Sequence, residues 1–259
     1  MPRRQESPDA VKVRTLPVQV AAHLTRRIVS GAVEDGRAPS ELEISTEFGV
    51  SRVVARETLK ILASLDIVDV AQGRRVVVRP RAEWDYLSPL LIEWLPAEIV
   101  EELLQELHQM RALLEPELAA MAAASITDET LERLRGEIGR MAALEADPEA
   151  YLEVDHEFHM EICRAADNRI LDRIMYSARW LGTASRRVTN EAPAGLHRAT
   201  AQHTEIYEAL VARDPAAARA AMRNHLSNNY STLVAEKKQR SKRAAKRRQH
   251  TARPSSANR

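Results

Sequence analysis

Asp155 and His159 stand four residues apart in the run Val154-Asp155-His156-Glu157-Phe158-His159, a spacing that stacks them on one face of a helix. That face is apolar: Leu152, Asp155, His159 and Ile162 follow steps of three, four and three residues, the stripe a helix turns toward its core. A carboxylate and an imidazole in such a stripe carry a heavy desolvation cost unless something pairs with them. A metal ion is one partner that does so.

Three more polar side chains fall on inward stripes. His203 lies midway between Leu196 and Leu210, spaced by seven, and His225 sits with Met222, Leu226 and Asn229 on the inner face of the last helix. Arg111 lies midway between Leu104 and Leu118, with Leu107 and Leu114 beside it. Taken singly, each histidine reads as a hydrogen-bonded core residue. Taken with Asp155 and His159, they read as a ligand set, because four unrelated buried polar residues in one bundle would be expensive. One carboxylate oxygen and three imidazole nitrogens suit a borderline divalent ion, zinc first, with nickel and manganese as alternatives. Such a site keeps positions open for a small anion. A dication, Asp155 and Arg111 sum to a buried charge of +2, which calls for an anionic partner. His108, His156 and His197 fall off the inward faces and read as surface residues or as residues behind the ligands.

These residues need long helices to carry them. Turn signals at Thr127-Asp128, Asp147-Pro148, Asp167-Asn168, Ala192-Pro193 and Asp214-Pro215 divide the second half into six helical segments, near 97–124, 127–145, 148–166, 168–188, 194–213 and 215–238. Short connections between long amphipathic helices predict an antiparallel all-α bundle. No internal repeat of fixed period is visible. The single cysteine, Cys163, excludes an internal disulfide and reads as a small packed hydrophobe.

The first eighty residues have a different pattern. Val20, Leu24 and Ile28 recur every four residues up to Gly31; Ser40 and Glu43 form a capping-box pair ahead of a helix ending near Phe48-Gly49; Ser51 caps a third helix from Arg52 to about Leu65. Two short helices joined across a Gly-Val-Ser turn are the helix-turn-helix pattern. Arg52 and Arg56 share a face of its second helix, within reach of guanine edges or phosphates. Residues 67–70 and 75–78 then read as a hairpin, a wing whose tip carries Arg74 and Arg75 for minor-groove or phosphate contact. The alternative is a small helical domain with a solvated arginine face. The order of three helices and a hairpin, with arginines gathered at the reading helix and the turn, favours DNA.

Charge is distributed accordingly. Residues 1–80 carry +3, residues 81–235 carry −11 and residues 236–259 carry +9, within a net +1. An acidic body with basic ends suits a protein whose ends alone meet a polyanion. No run approaches a membrane span, and the start Met-Pro-Arg-Arg lacks the apolar core of a signal peptide, so a cytosolic protein without membrane contact is expected. The domain reading is a flexible arm at 1–15, a winged helix-turn-helix domain at 16–80, and a packed linker at 81–96. A helical effector-binding and dimerisation domain follows at 97–235, then a basic tail at 236–259. The tail reads either as a disordered solubilising end or as a nonspecific DNA contact.

The motifs Ile28-Val29-Ser30-Gly31, Pro39-Ser40-Glu41, Phe48-Gly49-Val50-Ser51-Arg52 and Arg56-Glu57-Thr58-Leu59 resemble the winged-helix domain of GntR-superfamily transcription regulators. The resemblance implies DNA contact through Ser51, Arg52, Val53, Arg56, Gly73, Arg74 and Arg75. Three positions depart from the family pattern: Leu42 replaces an arginine that usually follows Pro-Ser-Glu, Arg75 replaces a common wing glycine, and Val53-Val54 replace small residues or proline. Met110-Arg111-Ala112-Leu113-Leu114-Glu115-Pro116, Asp155-His156-Glu157-Phe158-His159, Asp167-Asn168, His203-Thr204-Glu205-Ile206 and Met222-Arg223-Asn224-His225-Leu226 resemble the FCD effector domain of the FadR-type branch. That likeness implies metal ligation by Asp155, His159, His203 and His225, and a carboxylate effector held with the help of Arg111 and Asn168. Trp84-Asp85, Leu87-Ser88-Pro89 and Trp94 are similar to a subgroup that answers to sugar acids such as galactonate.

The expected protein is therefore mainly α, a winged helix-turn-helix joined to an antiparallel helical bundle. Its expected function is that of a homodimeric, ligand-responsive repressor binding double-stranded operator DNA. Two alternatives stay open at this stage. Open metal positions also serve enzymes, although Glu157 points away from the ligands and no further base or nucleophile faces them. The metal could instead be purely structural.

Overall fold

Pro17 in the first turn and glycine beyond the last bound the first helix, as their backbone chemistry favours. In the computed structural model, which describes residues 14–33, 36–71, 73–188 and 195–228, α1 runs Leu16–Val29 and Gly31 follows at φ +76°. Expectations for the N-terminal arm through residue 13, for 189–194, for the last helix beyond 228 with Asn229, and for the basic tail lie outside the described residues.

Ser40 and Glu43 form the expected capping box at α2 (Glu41–Phe48): the Glu43 amide donates to Ser40 Oγ at 3.3 Å, and the Ser40 amide donates to Glu43 Oε2 at 2.7 Å. Gly49 closes α2 in the left-handed conformation, φ +62°, where a Cβ would be strained. Ser51 then caps α3 (Arg52–Ser64) by accepting the Val54 amide at 3.3 Å. Val20, Leu24 and Ile28 of α1 are all buried, as are Ile44 of α2 and Ala55, Thr58, Leu59 and Leu62 of α3. The apolar spacing thus becomes a three-helix core, with α3 packed on both α1 and α2.

The wing is shorter than its hydrophobic runs suggest. Strands β1 (Val68–Asp69) and β2 (Val77–Val78) pair antiparallel, Val68 opposite Val78 and Asp69 opposite Val77. Val70 and Val77 face solvent, so the valine runs that predicted four-residue strands reflect β propensity at an exposed edge, and pairing extends over two residues only. The interval between the helices adds a bridge, Arg37 to Val77. Residues 81–96 are packed: the Trp84 indole donates to the Arg79 carbonyl at 3.1 Å, and α4 (Pro89–Trp94) buries Leu91, Ile92 and Trp94. The first compact unit accordingly extends to Val100.

In the second unit, from Glu101 onward, the secondary structure of the described residues is all helical. It comprises α5 (Ala97–Ser125, which begins just before the boundary), α6 (Asp128–Ala143), α7 (Pro148–Ala165), α8 (Arg169–Val188), α9 (Leu196–Val211) and α10 (215–228). Asp147 caps α7 and Pro148 occupies its first position. Asp214 caps α10 with Oδ1 accepting the amides of Ala216 and Ala217 at 2.9 and 3.1 Å. The helix α7 has two buried faces. Val154, Phe158 and Ile162 join Leu134, Met141, Ile206, Leu210, Met222 and Leu226 in one core. Met160 and Cys163 join Leu118, Ala166 and Met175 in a second. Full burial of a side chain such as Phe158 stabilises by about 1.5–3 kcal/mol. A helix clamped on both sides is the rigid support that converging polar groups need.

Candidate functional site

Asp155 and His159 project one turn apart from α7, His203 from the middle of α9, and His225 from the buried side of α10. The bundle brings these four together. Nε2 of His159 lies 3.2 Å from Nε2 of His225 and 3.4 Å from Nε2 of His203. Asp155 Oδ1 lies 3.1 Å from His203 Nε2 and 3.9 Å from His159 Nε2. All four donor atoms fall within 4.8 Å of one another. The three imidazoles are buried and the Asp155 side chain is 16% exposed.

The donor set fits a divalent ion. Three imidazoles meeting through the same nitrogen cannot all be satisfied by shared protons, because a neutral ring carries only one N–H. Metal–ligand bonds of about 2.0–2.1 Å in a tetrahedron place donors about 3.3 Å apart, close to the three shorter separations. Protonation agrees. Burial pushes the His203 and His225 rings below the usual imidazole range, with Asp155 opposing the shift and neighbouring histidines adding to it. Burial would raise the Asp155 carboxyl, but a hydrogen bond from His203 and the other histidines hold it well below the carboxylate range. Neutral rings and an ionised carboxylate are the forms that ligate metals.

Arg111 occupies the expected inward face of α5, its side chain 27% exposed. The sequence reading missed its partner. Glu115, one turn on and 2% exposed, takes the Arg111 guanidinium in two contacts, Nε to Oε1 and Nη2 to Oε2 at 3.3 Å. Its Oε2 also lies 2.7 Å from Nδ1 of His159. The expected charge of +2 is therefore corrected: Glu115 adds a second carboxylate, held ionised by Arg111 and His159 against the effect of burial, and a dication would leave +1. An anion is still favoured, though less strongly. The signal was available in the i, i+4 spacing of Arg111 and Glu115.

Asn168 opens α8 and caps it, its Oδ1 accepting the amides of Ile170 at 3.2 Å and Leu171 at 3.1 Å. His197 is on the surface, with Nδ1 3.2 Å from Glu145. His156 is more enclosed than its helical position suggested: its Nε2 is buried and has no hydrogen-bond partner among the described residues. Burial, then Arg111 and His159, push its pKa to about 4. Glu157 faces outward against Arg164.

In the first unit, Arg52, Arg74 and Arg75 are exposed, as is Val53 at 68%. Arg56 is exposed but paired: Nε and Nη2 donate to Glu41 at 3.0 and 3.3 Å. Gly73 holds φ +74° and the Arg74 amide donates to Ala71 at 3.1 Å, which forms the wing turn. Leu42, where a family arginine is usual, stands exposed on α2.

A winged helix-turn-helix followed by a helical bundle with a buried polar centre defines a DNA-binding regulator with its own sensing domain. Comparison with known proteins narrows the class. Residues 16–78 match the gntR family of bacterial regulatory proteins and residues 106–228 match the FCD domain. The chain is 31% identical over 217 residues to the Glc operon transcriptional activator of Escherichia coli K12, covering 80% of this chain and 84% of that one. It is 26% identical over 215 residues to the galactonate operon transcriptional repressor of the same strain, covering 78% and 90%. Lar of Listeria monocytogenes, which controls the agr system, superposes with a TM-score of 0.54 at 19% identity over 84% of this chain and 95% of that one, a likeness of fold. The chain belongs to the GntR family, FadR-type branch, with an FCD domain. It is a transcriptional regulator and not an enzyme.

Proposed function

We propose that the protein is a cytoplasmic homodimeric repressor in which a divalent ion held by Asp155, His159, His203 and His225 senses a small organic carboxylate, a sugar acid being the favoured class. The winged helix at 16–80 reads palindromic operator DNA through Ser51, Arg52, Val53, Arg56, Gly73, Arg74 and Arg75. The bundle at 97–235 holds effector and partner. Zinc is the first choice of ion. Arg111 supplies the countercharge to the carboxylate, and Asn168, whose oxygen is occupied as a cap, offers its amide nitrogen. The observation that carries this reading is the convergence of three imidazole Nε2 atoms and Asp155 Oδ1 within 4.8 Å inside the bundle. The galactonate operon repressor supports the effector class by similarity.

Regulation requires the carboxylate to bind the DNA-competent and DNA-incompetent dimers with different affinity. Fluorescence anisotropy tests this with the zinc-loaded protein, duplexes from its own upstream region, and a panel of sugar acids and small hydroxy acids. Tight binding that one acid relieves is the expected result. Binding strengthened by the acid would overturn the expected release, and reporter transcription would then separate a co-repressed repressor from an activator, the role named for the Glc operon relative. No binding to any duplex at low salt would overturn the reading.

A further inference from the structure

Among the contacts around the four donors, that of Glu115 differs in kind. Its carboxylate is almost wholly enclosed at the junction of α5 and α7. It touches the Arg111 guanidinium at two points and lies 2.7 Å from His159 Nδ1. The opposite ring nitrogen, Nε2, is the one that meets His203 and His225. Among the described residues neither Nδ1 of His159 nor Nδ1 of His203 has a hydrogen bond of ordinary geometry, and of the two it is His159 that has a carboxylate set against it, Glu115 Oε2 at 2.7 Å.

We infer that Glu115 is a positioning residue of the metal centre: it accepts the Nδ1–H of His159, fixes that ring as the tautomer whose Nε2 lone pair faces the other donors, and is itself held in place by Arg111. The inference rests on the metal reading given above and adds a residue to it. The physical reason is the two-sidedness of imidazole. A neutral ring with its proton on Nδ1 has its lone pair on Nε2, and a carboxylate behind the ring enforces that choice while raising the basicity of the ligating nitrogen. An ionised carboxylate accepts only, so it cannot stabilise the opposite tautomer. Arg111 donates along its Nε–Nη2 edge, which locks the rotation of the carboxylate and leaves Oε2 aimed at His159.

Glu115→Gln keeps the shape but can present an amide N–H to Nδ1, and it pairs poorly with Arg111. The test uses full-length, metal-stripped protein and zinc alone as the probe, with affinity read by competition against a chromophoric chelator. Wild type is expected to bind zinc, and Glu115→Gln about 10- to 100-fold more weakly, the usual effect of losing such a supporting carboxylate. Equal zinc affinity in the two proteins would overturn the inference while leaving the metal reading intact. Absence of zinc binding in wild type would overturn the metal reading and this inference with it. A packing role alone would lower the melting temperature without changing zinc affinity.

A second readout does not depend on Glu115→Gln. Zinc-loaded wild type carrying 15N-histidine should show an Nδ1–H proton shifted downfield and in slow exchange with water. Assignment by loss of the signal in His159→Asn identifies the ring. A spectrum with no such proton overturns the inference even if Glu115→Gln fails to fold.

Discussion

Replacing Arg111 by methionine removes the strongest partner of a carboxylate that has almost no access to water. Glu115 is 2% exposed, and its carboxylate contacts Arg111 and the His159 ring. Breaking a buried pair from one side costs about 3–5 kcal/mol, because the remaining charge stays buried without compensation. Arg111 is 27% exposed, so its guanidinium can turn toward solvent when Glu115 is the residue removed. Glu115→Met should therefore cost less than Arg111→Met, about 1–3 kcal/mol. The double variant replaces both charges by apolar stems and should return to within about 1 kcal/mol of wild type. At roughly 2–4 °C per kcal/mol for a domain of this size, Arg111→Met should lower the bundle's melting temperature by about 10 °C. The assay is thermal unfolding followed by circular dichroism with chelator present, which keeps metal affinity out of the comparison. Arg111→Met melting with wild type, or a double variant whose losses simply add, would refute the argument that these two charges form one buried unit.

Three further outcomes follow from other parts of the molecule. Ser40→Ala removes the side-chain half of the capping box at α2, leaving the backbone amide's bond to Glu43, and should destabilise the winged-helix domain by about 1 kcal/mol, measured by urea titration. Cys163 is buried, and burial together with the nearby Glu115 charge raises its thiol above the usual range. A chromogenic thiol reagent at pH 8 should leave it unmodified in the folded protein and titrate one thiol after denaturation. Arg74→Ala and Arg75→Ala should each reduce the salt slope of operator binding by about 0.9, with affinity lost evenly across operator sequences; an unchanged slope would place the wing tip away from phosphate.

Much of this organisation was legible in the chain because its cues are local. Ser40, Glu43, Gly49 and Ser51 act within a turn of their own backbone, and each does in the structure what its chemistry dictates. The stripes on α7 and α9 turned His159 and His203 inward for the same reason. What was not legible depends on packing between distant segments. His159 and His203 are 44 residues apart and His159 and His225 are 66, so periodicity shows that each ring faces a core but not which nitrogens meet. Glu115 lies on the flank of the α5 stripe, beside Leu114 and Leu118, where helical position alone does not separate a solvated carboxylate from a buried one. Its role appears only when His159 of α7 is set against it. His156 was placed off the inward face, yet its Nε2 is buried. The wing strands were overestimated because valine enrichment marks β propensity and not the length of a ladder.

The measurement closest to the central claim is calorimetric titration of metal-stripped, full-length protein with zinc, run beside the His203→Ala variant. His203 contributes a fully buried ring whose Nε2 sits 3.1 Å from Asp155 and 3.4 Å from His159. The account predicts saturable binding of one ion per chain in wild type and binding at least tenfold weaker in the variant. No saturable heat in wild type, or the same affinity and stoichiometry in both proteins, would contradict the assignment of these four residues as a metal centre.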